Sequence, residues 1–437
     1  MASRAPDLAN IQGNVLVGFG KPCQDFLILT FAEARHARAW VAEIAAARVP
    51  ATHVAFSHRG LRALGVPEGD LHLFPPWFPA GGMAARSRHI GDEGAAAPAL
   101  WAPPFEDGAR HVDALLIVGA DDPAVLERLA AGICATSTFT RAIAKVGVVE
   151  GRERVDAPGC EHFGYRDGLS QPGIRGVTEP EPGQSMLWPG EFVLGYPAQI
   201  GQAKPGVAGP NPDPGPISAS GPAWTIGGSY LVLRRLQQDV PGFDAQVQAL
   251  AREAGLPVEL VEAKLMGRYK SGRLLEDVQD GAAPDRRCPL GAHTRKCYPR
   301  DARVFAGAPD RASEIETHRL LRRAIPFGPS FDPSRPETVE QCRGLVFVAY
   351  QADIERQFEF VQNKWMNFLM FPLGGGEGVS PGQDPIAATS RTGPFQLREN
   401  TPSRDIEHFV MLTGGEYFFS PSIAALHVLG AGAMSGS

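Results

Sequence analysis

Two hydrophobic rhythms alternate along the chain. In its first third, DFLILTF (25–31), THVAFS (52–57), HVDALLIVGA (111–120) and RAIAKVGVVEG (141–151) are short apolar runs rich in β-branched and aromatic residues. Each predicts a strand, and NVLVGF (14–19), with the same look, is read the same way. Between them, AEARHARAWVAEIAAA (32–47) and PAVLERLAAGICA (123–135) place apolar residues at helical spacing, and RGLRALGV (59–66) predicts a short helix. The order strand–helix–strand, then strand–helix–strand, predicts a ferredoxin-like α+β unit.

A second periodic block follows. GSYLVLRRLQQDV (228–240) and RGLVFVAYQ (343–351) predict strands, and HFVMLTGGEYFFSPS (408–422) a strand with a Gly-Gly turn. PGFDAQVQALAREAGL (241–256), PVELVEAKLMGRY (257–269) and IERQFEFVQNKWMNF (354–368) predict helices, the last amphipathic. The same element types in both halves suggest a structural duplication, although no residue-level repeat is visible. Residues 67–110 and 152–225 hold much of the glycine and proline and predict long loops, which are uncommon unless functional. The expected division is an N-terminal ferredoxin-like domain over 1–155, a Gly/Pro-rich connecting segment over 156–225, and a C-terminal ferredoxin-like domain over 226–437.

Composition narrows the partners. The 437 residues carry 42 Lys and Arg against 48 Asp and Glu, a net charge of −6, with both signs mixed. No basic tract points to nucleic acid. No apolar run approaches the roughly eighteen residues of a membrane span, so no membrane is expected. MASRAPDLANIQGN lacks the charged-then-apolar pattern of a signal peptide, and the six scattered cysteines contain no CxxC. Both features lead to the expectation of a reduced, cytoplasmic protein. HExxH, GxSxG and P-loop patterns are absent, which leaves hydrolase and nucleotide chemistry without support.

Three segments carry candidate chemistry. GYRDGLSQPGIRG (164–176) sets the acid Asp167 among glycines. Such an acid either stabilises a turn or is a working carboxylate on a shaped loop. CPLGAHTRKCYPRD (288–301) places His293 after two small residues, Gly291 and Ala292, and before the cations Arg295 and Lys296. A surface histidine beside basic residues would look the same. Small residues, one imidazole and then cations also suit a haem wall, with an axial nitrogen and partners for propionates. HRLLRRAIPFGP (318–329) ends a helical pattern with Arg322 and Arg323, then turns apolar, so one arginine is carried inward. That is costly without an anion or a polar ligand to meet it. Trp365, on the predicted helix 354–368, reads as core or as an electron relay.

Taken together, these segments resemble the dye-decolorising peroxidase family. DLANIQGNVLVGF (7–19), the GxxDG motif Gly164–Gly168, the histidine segment 288–300, the arginine segment 322–329, LVFVAYQADIERQFEFVQNKW (345–365) and SPGQDPI (380–386) carry the likeness over most of the chain. The resemblance implies two ferredoxin-like domains with antiparallel sheets, of the dimeric α+β barrel type, with one haem b per chain held mainly by the C-terminal domain. It implies a peroxidase that reduces hydrogen peroxide and oxidises dyes, phenols and other small aromatic one-electron donors through a ferryl intermediate. The alternative on the same fold is a non-catalytic haem carrier or sensor. By motif position His293 is the axial iron ligand, Asp167 and Arg322 the distal catalytic pair, and Arg295 a propionate partner. Gly168 and Phe327 count among the haem-binding residues. Glu377 and Asp384 are both candidates for the acid that partners the proximal histidine. Phe327 replaces the tyrosine that some members use as a surface radical site, while Trp365 keeps a possible relay position. A carboxylate base, with a reference pKa of about 3.9, predicts an acidic optimum for dye oxidation. A homo-oligomer is left open.

Overall fold

The computed structural model describes residues 5–275, 287–299, 312–372, 380–398 and 401–432. In the N-terminal half, β1 (Cys23–Phe31), β2 (Thr52–Phe56), β3 (Ala114–Ala120) and β4 (Ile143–Arg152) pair antiparallel in the order β4-β1-β3-β2. In the C-terminal half, β5 (Ser229–Gln238), β6 (Ile325–Phe327), β7 (Gly344–Gln351) and β8 (Val410–Ser420) take the order β8-β5-β7-β6. Numbered within its own half, each is the same arrangement, so the duplication suggested by the element types is real at the level of topology.

The halves then join twice. Phe56 of β2 pairs with Phe419 of β8, and Gly151 of β4 pairs with Phe327 of β6. Eight strands thus close into one antiparallel barrel, which leaves no free edge on the ring. Side chains of β1, β3, β5 and β7 are buried along almost their whole length, as strands packed on both faces should be. Helices α1 (Ala34–Ala47) and α2 (Pro123–Cys134) belong to the first half, and α3 (Val240–Ala254) and α4 (Val258–Met266) to the second. Asp122 accepts from the amides of Ala124 and Val125 and caps α2, with Pro123 in the first turn.

Four readings of the sequence need correction. Residues 14–17 form turns and 18–19 join no strand, because the carbonyls of 14–16 bond a guanidinium instead of a neighbouring strand. Arg322 lies on a strand, not at a helix end: Leu321–Arg322 pairs with β7 in the same register as β6, and the Arg323 amide just beyond still donates to the Val348 carbonyl of β7. The predicted helix 354–368 is π-helical over Glu355–Glu359 and Val361–Met366. Gly414 and Gly415 make no turn. They form an irregularity inside one continuous β8, where a Cβ on Gly414 would meet the Phe105 ring at 2.4 Å.

Candidate functional site

One face of the C-terminal half-sheet forms the floor of a cavity of about 280 Å³. Leu236 of β5, Leu345 and Phe347 of β7 and Leu412 of β8 line that floor. Leu236 pairs in register with both Leu345 and Leu412, so the strand period of two sends them to one face. Val361 and Met366 from the π-helical segment and Ile386 line it as well.

His293 enters from α5 (His293–Cys297). Its Nδ1 lies 2.8 Å from Oδ2 of Asp384. Asp384 is fully buried, and its other oxygen accepts from the amides of Ile386 (2.8 Å) and Ala387 (2.9 Å). Burial opposes charge on both partners. The attraction between them outweighs it, with the two amides helping, so the Asp384 carboxyl is held below its usual range and His293 well above its own. A carboxylate only accepts, so Nδ1 carries the hydrogen and Nε2 is the nitrogen left for a ligand. Cys297 Sγ sits 3.4 Å from each ring nitrogen. Glu377, the other candidate partner, lies outside the described residues.

Asp167 and Arg322 line the same cavity. Asp167 is on a loop whose next residue, Gly168, has φ 74°, a left-handed conformation that favours glycine. The Asp167 carboxylate accepts from the Gly168 amide at 2.7 Å. Arg322 donates to the carbonyl of Leu169 on that loop, and Gln171 Nε2 donates to the Arg322 carbonyl at 3.2 Å. Glu161 holds the loop's start: it accepts from the amides of Phe163 (2.9 Å) and Tyr165 (2.8 Å) and from Gln238 of β5. Burial pushes its carboxyl pKa up.

The other sequence candidates lie elsewhere. Arg295 is buried, 2 % exposed, and does not line the cavity. Lys296 is fully buried and donates to the carbonyls of Trp365 (3.2 Å) and Phe368 (2.7 Å). Gly291 and Ala292 pack against protein rather than the cavity; a Cβ on Gly291 would meet the Pro381 carbonyl at 2.4 Å. Phe327 is on β6 under the Arg235 guanidinium, away from the cavity, and Gly168 borders the lining without joining it. Trp365 is buried behind the wall, stacked on Phe371 and edge-on to His318.

Arg319, Arg268, Arg391 and His318 also line the cavity and were not singled out from sequence. His318 and Arg319 share the parity of Arg322 or its neighbour in the quoted segment, but no local pattern marks them. Burial lowers His318 to a pKa of about 4, so it is neutral, and it lies flat on Phe360 with centroids 3.9 Å apart.

The lining fits a haem. It is a largely apolar slot with one carboxylate-tied imidazole in its wall and arginines around it for two carboxylates. A second group of ligating side chains, His89, Glu355 and Glu359, is filled by Arg86, which bonds both glutamates.

Comparison with known proteins supplies the family. The description "DyP dimeric alpha+beta barrel domain" matches residues 33–155, and "Dyp-type peroxidase, C-terminal" matches 214–369. A dye-decolorizing peroxidase from Mycena epipterygia is 30% identical, with 98% of this chain and 88% of that protein covered. A multifunctional dye peroxidase from Amycolatopsis is 27% identical over 97% of this chain and 96% of its own. The crystal structure of a fungal DyP-type peroxidase from Auricularia auricula-judae superposes with a TM-score of 0.81 at 28% identity, covering 98% of this chain and all of that one. With barrel, cavity and likeness extending over nearly the whole length, the chain belongs to the dye-decolorising peroxidase family and is a haem-dependent peroxidase.

Proposed function

We propose that the chain binds one haem b, which His293 would hold through Nε2 with Asp384 as the partner of that histidine, and that Asp167 and Arg322 would act on peroxide in the same cavity. The observation that carries this reading is that His293, Asp167 and Arg322, far apart in sequence, line one apolar cavity. When bound, the haem supplies an iron that activates hydrogen peroxide and stores oxidising equivalents for one-electron donors.

The chain's own groups do the rest. Asp167 accepts a proton from hydrogen peroxide and returns it to the departing oxygen as water forms. Arg322 offsets the negative charge that builds as the O–O bond separates. Its bond to Leu169 supports the pairing, because it ties the guanidinium to the loop that carries Asp167. Asp384 fixes the tautomer of His293 and makes Nε2 more basic. Phenols and dyes are the proposed donors. A related dye-decolorizing peroxidase structure holds 2,6-dimethoxyphenol, which supports that substrate class. No described helix is long and apolar enough to cross a membrane. All six cysteines are free, which supports a reducing, cytoplasmic location.

The test of the cofactor assignment is spectroscopic. Haem-loaded wild type should show a Soret band that His293→Ala loses or shifts strongly. An identical band in the variant would sink His293 as the ligand.

A further inference from the structure

The two adjacent arginines serve different faces of one strand. Arg322, with Leu320 and Ala324, lines the cavity, and the strand period sends Arg323 the opposite way. There its guanidinium meets carbonyls. Nε donates to Asn14 (3.2 Å), Nη2 to Val15 (3.2 Å) and Leu16 (2.9 Å), and Nη1 to the carbonyl of Arg322 itself (2.9 Å). No carboxylate pairs with it among the described residues. A half-buried arginine held only by carbonyls, with no opposite charge beside it, is an expensive way to fill space. Its use lies in what it joins.

The carbonyl cradle is itself anchored. Gln12 spans the seam between the two halves of the barrel: its Nε2 donates to the carbonyls of Val54 and Pro421, both at 2.8 Å, and its Oε1 accepts from the Val54 amide at 2.9 Å. Asn14 donates to the Tyr350 hydroxyl of β7 at 3.1 Å. Gly18, at φ 82°, leaves the space that the guanidinium occupies, since a Cβ there would lie 2.7 Å from Arg323 Nε. On the cavity side, Arg322 is held by Leu169 and Gln171 of the Asp167 loop.

We propose that Arg323 is a positioning residue: locked into the carbonyls of residues 14–16, it sets the backbone of Arg322 against the Asp167 loop. The inference rests on the reading of Arg322 as the distal arginine. The N-terminal segment is therefore part of the peroxide-cleaving machinery, through one guanidinium and one shared carbonyl.

The test uses full-length wild type, Arg322→Leu, Arg323→Lys and Arg323→Gln. Hydrogen–deuterium exchange is read in peptides spanning 166–174 and 319–325, with and without haem. The rate constant for reaction with peroxide and the KM for a phenolic donor are read in the loaded enzymes. Arg323→Gln should speed exchange in both peptides while α1 stays unchanged. It should slow the peroxide reaction about a hundredfold, as an ångström-scale misplacement does, and leave the donor KM alone. Arg323→Lys should fall between it and wild type, and it decides the matter if the glutamine variant does not fold. Wild-type exchange and wild-type peroxide rates in both Arg323 variants, with Arg322→Leu slow, would overturn the inference. A fast Arg322→Leu would instead defeat the reading of Arg322, and the exchange data would still decide whether Arg323 holds it in place.

Discussion

Single residues set the chemistry and also part of the pH response. Glu416 is buried on β8 with no cation paired to it among the described residues; its Oε1 accepts from the amides of Met83 and Tyr417, both at 2.7 Å. Burial pushes its pKa up to about 7, against the pull of those amides. An acid raised in the folded state keeps its proton longer than in the unfolded chain, where it titrates near 4.3. Its contribution to stability is therefore full below about pH 4 and is lost as pH rises through about 7. Glu416→Gln should flatten the fall in Tm between pH 5 and 7.5, and the slope that remains should come in part from Glu191, raised by burial to about the same pKa. Parallel Tm–pH curves for wild type and variant would refute this. At this scale the sequence is a partial guide. Asp167, His293 and Arg322 stand out because their flanking residues are distinctive. The partner of His293 does not, because Asp384 is brought to it by tertiary structure across 91 positions. Arg295 misleads for the converse reason: a cation beside the ligand looks available, and the helix turns it into the interior.

At the scale of elements, hydrophobic period identified most strands and helices, and tertiary pairing decided the exceptions. An apolar run such as 14–19 has strand-like residues but no neighbouring strand to bond. The helix-like spacing of HRLLRR gives way to edge pairing with β7, which is what separates Arg322 from Arg323. The Gly-Gly of β8 reads locally as a turn, yet the two glycines exist to let Phe105 and Leu233 approach. Gly414→Ala should accordingly destabilise the protein by about 1–3 kcal/mol, the usual range for forcing a methyl into a packed site. Urea unfolding measures it, and a variant as stable as wild type would show that Phe105 has room to move.

Across the whole molecule, two copies of one strand order close on each other, and that closure was only half legible. The repeated order of element types is visible in the hydrophobic pattern. The two joints are not, since each rests on one residue pair with no sequence signature. Side chains reinforce the union. Asp92 of the first half is fully buried and pairs with Arg234 on β5, which lines the floor of the cavity. Removing one partner of such a pair strands the other charge in the interior. Asp92→Asn should therefore cost about 3–5 kcal/mol of stability in denaturant unfolding. A loss under about 1 kcal/mol would mean that Arg234 is served by other groups, Gln362 first among them. The central claim, that this barrel presents Asp167 and Arg322 to peroxide over a histidine-held haem, meets its most direct test in one stopped-flow experiment. Haem-loaded wild type, Asp167→Asn and Arg322→Leu are mixed with hydrogen peroxide and the Soret change is followed. Wild type should react fast, and both variants should keep their resting spectra but react at least about a hundredfold more slowly. Variants that react as fast as wild type would contradict the account and take the cleavage of peroxide away from these two residues.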